Sequence, residues 1–567
     1  MISVSGKIWT EQKVNKNLVE KFKQDHDLGD ILSKLIISRN YDASEIYGIN
    51  NKQKLINIFN DNYDFKKASS ILLDTIKKNE NICIVGDYDV DGACATSLLV
   101  RYFNYINQNH FYYIPDRVRD GYGVSKKLFQ KLIIKKPKLI IMVDCGSTSN
   151  DAIDFLNTLN IKSIIIDHHE IHKPYPKSNA IINPKKELTK NESTLLCATA
   201  LTYFFIDILI KKNKSNFKLS NFLIYVSLAT ICDVMPLRKI NKIIVSNTIN
   251  NFNLKDNLAI NTIFDQLKMK KKISIEDLGF LIGPIINSGG RLNYSNYGTE
   301  LLSSEDHEII KDKSYKLIKL NNKRKKIEQN LLNEIDFKKI HKENEKVIIY
   351  YKNNLNEGLI GIIASRLKEF FNKPVIVITT SNNLLKASAR SNQHYNIGYV
   401  VKSLIDNNII DKGGGHSMAA GFTMKKDKLM KLKEYIFKDY LSKNKNSTFS
   451  FKYDSEILPT AINKEFNNEI SKLSPFGNDN TCPLFLIKDL KIIKVNVIEK
   501  KHISVILKPK IGRSIKSISF NSFNTQIGDI LISYKKNIHV IAQIHENNWN
   551  NKRDLQLNIR DILISIN

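Results

Sequence analysis

The stretch NICIVGDYDVDGACATSLLVRYF, residues 81–103, decides the fold of the region around it. NICIV is a short apolar, β-branched run typical of a buried strand, and ACATSLLVRYF is typical of a helix. Asp87, Asp89 and Asp91 lie on the turn between them. In an open parallel sheet such turns collect at the carboxyl edge of the strands, where ligands bind. A calcium-binding EF-hand is excluded, because the twelfth loop position counted from Asp87 is Leu98 instead of Glu.

Similar apolar runs recur along the following chain. They are FYYIP (111–115), KLIIMV (138–143), KSIII (162–166) and AIIN (180–183), and helical patterns separate them. This alternation, over residues 80–240, predicts a parallel sheet with crossover helices.

The whole sequence divides into segments of different character. We expect an N-terminal helical segment over residues 1–75, an α/β catalytic domain over 76–303, and a polar bridging helix over 304–345. A second α/β domain is expected over 346–440. Repeated strand signals over 449–567 predict a β-barrel of the oligonucleotide-binding (OB) type. The predicted fold class is therefore α/β, with two α/β lobes joined by a long helix and a C-terminal OB-type barrel.

The charge balance points to a polyanionic partner. The 567 residues include 86 Lys and Arg against 57 Asp and Glu, which gives a net charge of +29. Such an excess favours nucleic acid as a partner. Only 12 of the basic residues are arginine. Each arginine is therefore more informative than a lysine, because its planar guanidinium grips phosphate in a way that an ammonium does not.

Cysteine spacing and hydropathy indicate where the protein acts. The six cysteines form no C-x-x-C pair, which predicts reduced thiols. The N-terminus has no signal-peptide pattern, and the most apolar helical pattern, residues 195–210, contains Asp207. We therefore expect a soluble, cytoplasmic protein with no membrane partner.

Polar side chains end two further apolar runs and one apolar helix. Asp144 follows KLIIMV, the sequence DHH (167–169) follows KSIII, and Asp233 follows LATIC. A single acid in such a place is most often a helix cap, and adjacent histidines are more often solvated than ligands. Four such events in one α/β domain favour a shared site. Several carboxylates with one or two imidazoles and no thiolate predict Mn²⁺ or Mg²⁺, and the acids suffice for two ions.

The motifs DYDVDG, VDCGS, DHHE and ATICDVMPL, in this order, resemble the four motifs of the DHH phosphoesterase superfamily. Nearly the whole chain is similar to the single-strand-specific 5′→3′ DNA exonucleases of that superfamily. The resemblance implies metal ligands at Asp89, Asp91, Asp144, His168 and Asp233. It also implies that Asp144 bridges two ions and that His169 contacts the scissile phosphate, so Asp144 and His169 are the expected catalytic residues.

Asp87 marks a departure from the superfamily pattern. Related phosphoesterases carry a histidine ligand two residues earlier, where this chain has Val85. That coordination position is then left to water or to Asp87, which we include among the expected metal ligands.

Arginine- and glycine-containing segments are the candidates for holding nucleic acid. A surface loop or a plain turn is the alternative interpretation of each. NSGGRLN (287–293) places an arginine after two glycines that let backbone approach phosphate, and GGGH (413–416) resembles the substrate-binding motif of the superfamily's second lobe. The expected DNA- and phosphate-binding residues are Arg117, Arg119, Arg291, Arg366, Arg390, Gly414, Gly415 and His416.

Together these features predict a metal-dependent nuclease that degrades single-stranded DNA from the 5′ end to 5′-mononucleotides, in DNA recombination and repair. Two alternatives stay open: a superfamily enzyme for small substrates such as dinucleotides or pyrophosphate, and a scaffold that keeps the fold without catalysis. The barrel argues against the first alternative and the intact set of acids against the second. We expect a monomer that binds single-stranded DNA, with a helicase and a single-strand-binding protein as candidate partners.

Overall fold

The structure is a computed structural model. It describes residues 2–116, 119–120, 123–186, 191–337, 339–340, 346–381, 383–392, 394–443, 450–534, 536–549 and 552–564. The chain forms two compact units. One comprises residues 56–235 and 247–446, and the other comprises residues 1–55, 236–246 and 447–567.

Helices and strands occur throughout the described part of the chain. The strands are β1 (Ile8–Glu11), β2 (Ile82–Val85), β3 (His110–Tyr113), β4 (Leu139–Val143), β5 (Lys162–Ile166), β6 (Ala180–Ile182), β7 (Ile348–Tyr351), β8 (Val375–Ser381), β9 (Leu384–Arg390), β10 (Lys412–His416), β11 (Ala419–Met424), β12 (Ser450–Tyr453), β13 (Ser455–Glu456), β14 (Phe485–Ile498), β15 (His502–Pro509), β16 (Ile515–Ser519), β17 (Ile538–Trp549) and β18 (Lys552–Ile564). The helices are α1 (Lys16–His26), α2 (Asp30–Ser38), α3 (Ala43–Asn50), α4 (Tyr63–Lys77), α5 (Val90–Tyr105), α6 (Lys126–Leu132), α7 (Asn150–Thr158), α8 (Ala198–Asn213), α9 (Leu223–Cys232), α10 (Lys239–Asn251), α11 (Leu258–Gln266), α12 (Ile275–Asp277), α13 (Gly283–Arg291), α14 (Tyr297–Ser303), α15 (His307–Glu334), α16 (Ile360–Phe371), α17 (Ile397–Asp406), α18 (Leu429–Lys443), α19 (Lys464–Ser471) and α20 (Gln526–Ser533). A π-helical turn, Leu278–Ile282, joins α12 to α13.

The first lobe is built on a parallel sheet in the order β3-β2-β4-β5-β6. Every residue of β2 and β4 is buried, as expected for apolar strands covered by helices on both faces. Strand order reverses between β2 and β4, because β3 lies on one side of β2 and the later strands lie on the other. Such a reversal opens a crevice at the carboxyl ends of the two strands, where ligands bind in open α/β sheets.

The second lobe belongs to the same compact unit and follows the long helix α15. Its mixed sheet has the order β10-β11-β9-β8-β7. Alternate residues of β8 face two different cores: Ile376 and Ile378 pack in one, and Val375 and Val377 pack in the other with residues of α16. β10 lies at an open edge and all its residues are exposed.

The barrel has the strand connectivity of an OB fold. β14, β15, β16, β18 and β17 are neighbours in that order, and β14 also pairs with β17, which closes the ring. β16 and β18 run parallel, and the other pairs of the ring are antiparallel. These observations confirm the predicted fold class of two α/β lobes, a long helix and a C-terminal barrel.

The N-terminal segment packs with the barrel. β1 pairs in parallel with β12, and the amide of Val4 donates to the carbonyl oxygen of Ile562. Ser5 Oγ and Trp9 Nε1 each donate to Oδ2 of Asp561 at 2.8 Å, which satisfies this fully buried carboxylate. The helical segment expected over residues 1–75 therefore includes a strand, and it divides between the two units, because α4 belongs to the unit of the two lobes. Among the described residues, no helix is both long and apolar enough to span a bilayer.

Candidate active site

The acids that follow β2 also cap helices. Asp89 is the N-cap of α5, where its Oδ1 accepts from the amide of Gly92 at 3.0 Å. Both carboxylate oxygens of Asp91 accept backbone amides at the start of α8, from Ala198 at 2.7 Å and Thr199 at 2.8 Å. Capping fixes the orientation of these two carboxylates. The same side chains also belong to the acidic cluster described next.

Six predicted ligands converge at the carboxyl edge of the first sheet. His168 Nε2 lies 3.4 Å from Oδ1 of Asp144, 3.4 Å from Oδ2 of Asp233 and 3.6 Å from Oδ2 of Asp91. Three overlapping groups each bring their ligand atoms within 4.8 Å of one another. The groups are Asp144 with His168 and His169, Asp91 with His168 and Asp233, and Asp87 with Asp89 and Asp144. Asp144 and His168 each occur in two of them.

Two buried atoms of this cluster lack a hydrogen bond. They are Oδ1 of Asp144 and Nδ1 of His168, and neither has a hydrogen-bond partner in the described part of the chain. A buried polar atom without a partner is costly and in native proteins usually signals an ion, a water or a functional role. Backbone strain lies at the same place, since Asp144 has φ 61° and Val234, next to Asp233, has φ 55°.

The electrostatics of the cluster favour a bound cation. Burial raises the pKa of Asp144 well above its usual value, and repulsion from Asp91 and Asp89 raises it further. Burial and the same two neighbours raise the pKa of Asp233. Burial lowers the pKa of His168 to about 4. Crowded carboxylates beside a neutral imidazole are a stable arrangement only if positive charge offsets their repulsion.

These residues fit Mn²⁺ or Mg²⁺. The donor set consists of carboxylate oxygens and imidazole nitrogen, which hard and borderline divalent ions accept. The shared Asp144 and the division into overlapping groups suit two adjacent ions. In the first lobe, the nearby Cys94 and Cys145 are buried, and burial holds the pKa of each thiol above its usual value, so neither is expected as a ligand.

His169 is held by a residue to which the sequence assigned no role. Its Nδ1 lies 2.8 Å from Oδ1 of Asp167, and Asp167 also accepts the backbone amides of His168, His169 and Ser147. Burial lowers the pKa of His169, but the hydrogen bond and charge of Asp167 outweigh it and raise the pKa to about 9. The sequence DHH places an acid two residues before His169, and this spacing could have predicted the pair.

The expected nucleic-acid residues are placed differently from one another. Arg291 ends α13, and its Nη1 donates to the carbonyl oxygen of Gly358 at 3.1 Å, so it links the two lobes. Arg390 contacts Ser388 Oγ and the Ala389 carbonyl oxygen. Arg119 is exposed, and Arg117 lies outside the described residues.

Arg366 has an ion-pairing role that the sequence did not predict. Its guanidinium lies 2.7 Å from Glu328 and 3.2 Å from Glu369, and Glu328 also pairs with the buried Arg324 of α15. These pairs attach α16 to the long helix, so part of the charge that was assigned to DNA is already neutralised.

The glycines of NSGGR serve helix packing. They lie inside α13, where a Cβ at Gly290 would come within 2.7 Å of the carbonyl oxygen of Tyr88, and one at Gly289 within 2.7 Å of that of Tyr294. The expectation that these glycines form a backbone cradle for phosphate is therefore wrong. Their helix approaches the acidic loop too closely for any side chain.

GGGH forms the exposed edge strand β10. A Cβ at Gly414 would meet no atom within 4 Å, whereas one at Gly415 would lie 2.4 Å from the carbonyl oxygen of Ala419. Desolvation lowers the pKa of His416, and the charges of Lys185, Glu170 and His169 act on it. The histidine of the second lobe therefore lies beside the acidic cluster of the first.

Three family models match segments of this chain. Residues 81–230 match the model of the DHH family, N-terminal domain, residues 344–442 match the DHHA1 domain, and residues 453–561 match the RecJ OB domain. The single-stranded-DNA-specific exonuclease RecJ of Bacillus subtilis is 25% identical over 98% of this chain and 71% of that protein. Its namesake in Haemophilus influenzae is 28% identical over 87% of this chain and 90% of that protein.

Solved structures share the fold. The crystal structure of RecJ in complex with Mn²⁺ from Thermus thermophilus superposes with a TM-score of 0.82 at 18% identity, over 99% of this chain and 80% of that one. The Mg²⁺ complex from the same organism gives a TM-score of 0.74 at 17% identity, over 99% and 79%. Those structures hold the ions that the donor set of the present cluster fits.

Proposed function

The chain belongs to the RecJ family of DHH phosphoesterases, and from this premise we propose that it is a metal-dependent exonuclease that degrades single-stranded DNA from its 5′ end to 5′-mononucleotides. The observation that carries the proposal is the convergence of five acids and two histidines at the switch point of the first sheet. A small-substrate phosphoesterase would need no OB barrel, and a scaffold would need no such cluster.

Each group of residues has a distinct task in this reaction. Two divalent ions held by Asp87, Asp89, Asp91, Asp144, His168 and Asp233 would supply an activated water and neutralise phosphate charge. Asp167 keeps His169 oriented, since it pairs with Nδ1 of the imidazole at 2.8 Å. His169 then hydrogen-bonds to the scissile phosphate and stabilises the negative charge that builds up on it. Burial of the cluster strengthens this interaction.

Residues around the site would hold the strand. Arg291 and Arg390 contribute guanidinium groups, and β10 contributes His416 and the open backbone at Gly414. The barrel would add a surface that binds single strands without sequence preference, as OB folds do. Arg119 lies in a loop after β3 and would contact phosphate there. We assign Arg366 a smaller part, because two carboxylates already pair with it.

The surroundings of the enzyme follow from its substrate. We propose that it acts as a monomer in the cytoplasm, in recombination and repair. A helicase would supply single strands by unwinding duplex, and a single-strand-binding protein would keep them extended. The net charge of +29 suits this polyanionic substrate.

The decisive experiment digests one single-stranded oligonucleotide with Mn²⁺, labelled at the 5′ end in one reaction and at the 3′ end in another. Wild-type protein should release labelled mononucleotide at once from the 5′ label and late from the 3′ label. Asp144→Ala should abolish release, and Asp151→Ala, which removes an exposed acid of α7, should leave it unchanged.

Other outcomes would identify the alternatives. Faster hydrolysis of a dinucleotide than of the long strand would indicate a small-substrate enzyme. Binding of the strand without cleavage by the wild type would indicate a scaffold. Equal degradation of duplex and single strands would contradict strand specificity.

A further inference from the structure

Lys185 lies beside the acidic cluster and has no assigned role. It follows β6 in the short turn Pro184–Lys186. Its Nζ lies 3.1 Å from Oε1 of Glu170, the last residue of the DHHE motif. The lysine side chain is 24% exposed and that of Glu170 is 54% exposed, so the pair sits where solvent and a ligand can both reach it.

One buried amide fixes Lys185 relative to His169. Asn183 Oδ1 accepts the backbone amide of Lys185 at 2.9 Å. Its Nδ2 donates to the carbonyl oxygen of His169 at 2.9 Å and to Ser147 Oγ at 2.8 Å. Asn183 is 4% exposed, so these bonds form away from bulk water. The side chain of Asn183 therefore joins the backbone of Lys185 to the backbone of His169.

Two residues place Lys185 beside the DHH motif: Glu170 pairs with its ammonium, and Asn183 joins its backbone amide to the carbonyl oxygen of His169. Lys185 is also the largest charge effect on His416 of β10, in the second lobe. Its ammonium therefore lies close enough to both lobes to act on a ligand bound beside the DHH motif.

We propose that Lys185 is a phosphate-binding residue of this nuclease, which leaves Glu170 and contacts a backbone phosphate of the single strand next to the scissile one. The inference rests on the proposed function. Glu170 occupies the ammonium while DNA is absent, and because the pair is partly exposed, its exchange for phosphate costs little. A phosphate carries full negative charge at neutral pH and accepts the same ammonium hydrogen bonds as a carboxylate.

The test compares Lys185→Met with its neighbour Lys186→Met. Lys186 pairs with Asp64 of α4 and serves as the matched control. Binding of a 5′-phosphorylated oligo(dT) is measured by fluorescence anisotropy in EDTA over a series of KCl concentrations. Lys185→Met should weaken binding about tenfold and reduce the salt slope by about 0.7, the value for one phosphate contact on a single strand. Lys186→Met should change neither.

Kinetics and a second variant separate contact from folding. Lys185→Met should raise KM about tenfold in Mn²⁺-dependent digestion and leave kcat nearly unchanged, because the contact is to a non-reacting phosphate. Glu170→Gln should lower KM about twofold or more, since it frees the ammonium, and should have no such effect in the Lys185→Met background. If the lysine had a purely structural role, Lys185→Met and Glu170→Gln would not change KM in opposite directions.

Failure of this inference differs from failure of the proposed function. If the wild type digests the strand and Lys185→Met shows the same affinity, salt slope and KM, Lys185 does not contact DNA. An increase in KM with Glu170→Gln in both backgrounds would equally overturn the exchange. If the wild type fails to digest the strand, the proposed function itself falls.

Discussion

Asp91 both caps a helix and belongs to the acidic cluster that we propose holds metal. Both its oxygens accept amides of α8, and Oδ2 still lies 3.6 Å from Nε2 of His168. The two amides at the helix N-terminus hold the carboxylate in a fixed orientation. Asp233 has no such support from a helix N-terminus, because it follows the C-terminal end of α9. The two acids should therefore respond differently to the loss of charge.

We predict that Asp233→Asn abolishes nuclease activity and yet stabilises the metal-free protein. Burial and repulsion by Asp91 and Asp89 raise the pKa of Asp233, so its charged form destabilises the fold. Each unit of raised pKa corresponds to about 1.4 kcal/mol, and we expect a gain above about 1 kcal/mol in the free energy of unfolding. Denaturant unfolding at pH 7.5 in EDTA measures it.

The pH dependence of this effect has a definite sign. The destabilisation is fully present above the raised folded pKa of Asp233 and disappears as the pH falls through it, because the folded state then takes up the proton first. The difference between Asp233→Asn and the wild type should therefore shrink on acidification. A variant less stable than the wild type at pH 7.5 in EDTA would show that the carboxylate makes a net stabilising contact.

Among the helices, α13 sets the position of the acidic loop. Gly290 lets the helix pass so close to Tyr88 that a methyl group would lie 2.7 Å from its carbonyl oxygen. Tyr88 stands between Asp87 and Asp89, so any displacement of its backbone moves two of the proposed metal ligands. The helix thus acts as a support behind the site.

We predict that Gly290→Ala lowers activity more than tenfold and destabilises the protein by about 1–3 kcal/mol, the usual cost of overpacking a rigid site. Gly414→Ala is the matched control for stability, since its methyl group would meet no protein atom within 4 Å. Thermal unfolding and Mn²⁺-dependent digestion are measured for both. Equal unfolding temperatures for Gly290→Ala and the wild type would contradict the packing role.

Local sequence patterns predicted the parts of the site that depend on local structure. The strands before Asp87, Asp144 and Asp167 are short apolar runs, and the carboxyl edge of a parallel sheet brings their ends together. Interactions between distant residues left no such pattern. Arg366 pairs with Glu328, and Gly290 packs against Tyr88. The residues next to Arg366 and Gly290 in the sequence do not indicate these partners.

At the scale of the whole molecule, the barrel unit is assembled from three separate stretches of chain. Strand signals could not predict which stretches of chain form this unit, because the parallel pairing of β1 with β12 joins residues hundreds of positions apart. The barrel itself was predictable from its repeated strand signals, and in β15 buried residues alternate with more exposed ones, as expected for a barrel strand. Because β1 and α2 pack against residues of the barrel segment, removing that segment alone should expose them to solvent.

We predict that a chain shortened to residues 1–446 aggregates, and that a chain of residues 56–446 is more soluble. The first keeps β1 without β12 and leaves the apolar residues of α2, which pack with Leu473, exposed to solvent. The second also lacks the partners of residues 236–246, so some loss of order is expected there. Size-exclusion chromatography measures the outcome, and a monomeric 1–446 chain would contradict the prediction.

The hydrogen bond between Trp9 and Asp561 has a consequence for synthesis in the cell. The two residues are 552 positions apart, and a ribosome needs roughly half a minute to two minutes to make the intervening chain. The segment of β1 and α2 is thus made well before the barrel residues with which it pairs. The nuclease lobes are made in the meantime, and the amphipathic helix α2 is left as a target for chaperones until Leu473 has been made.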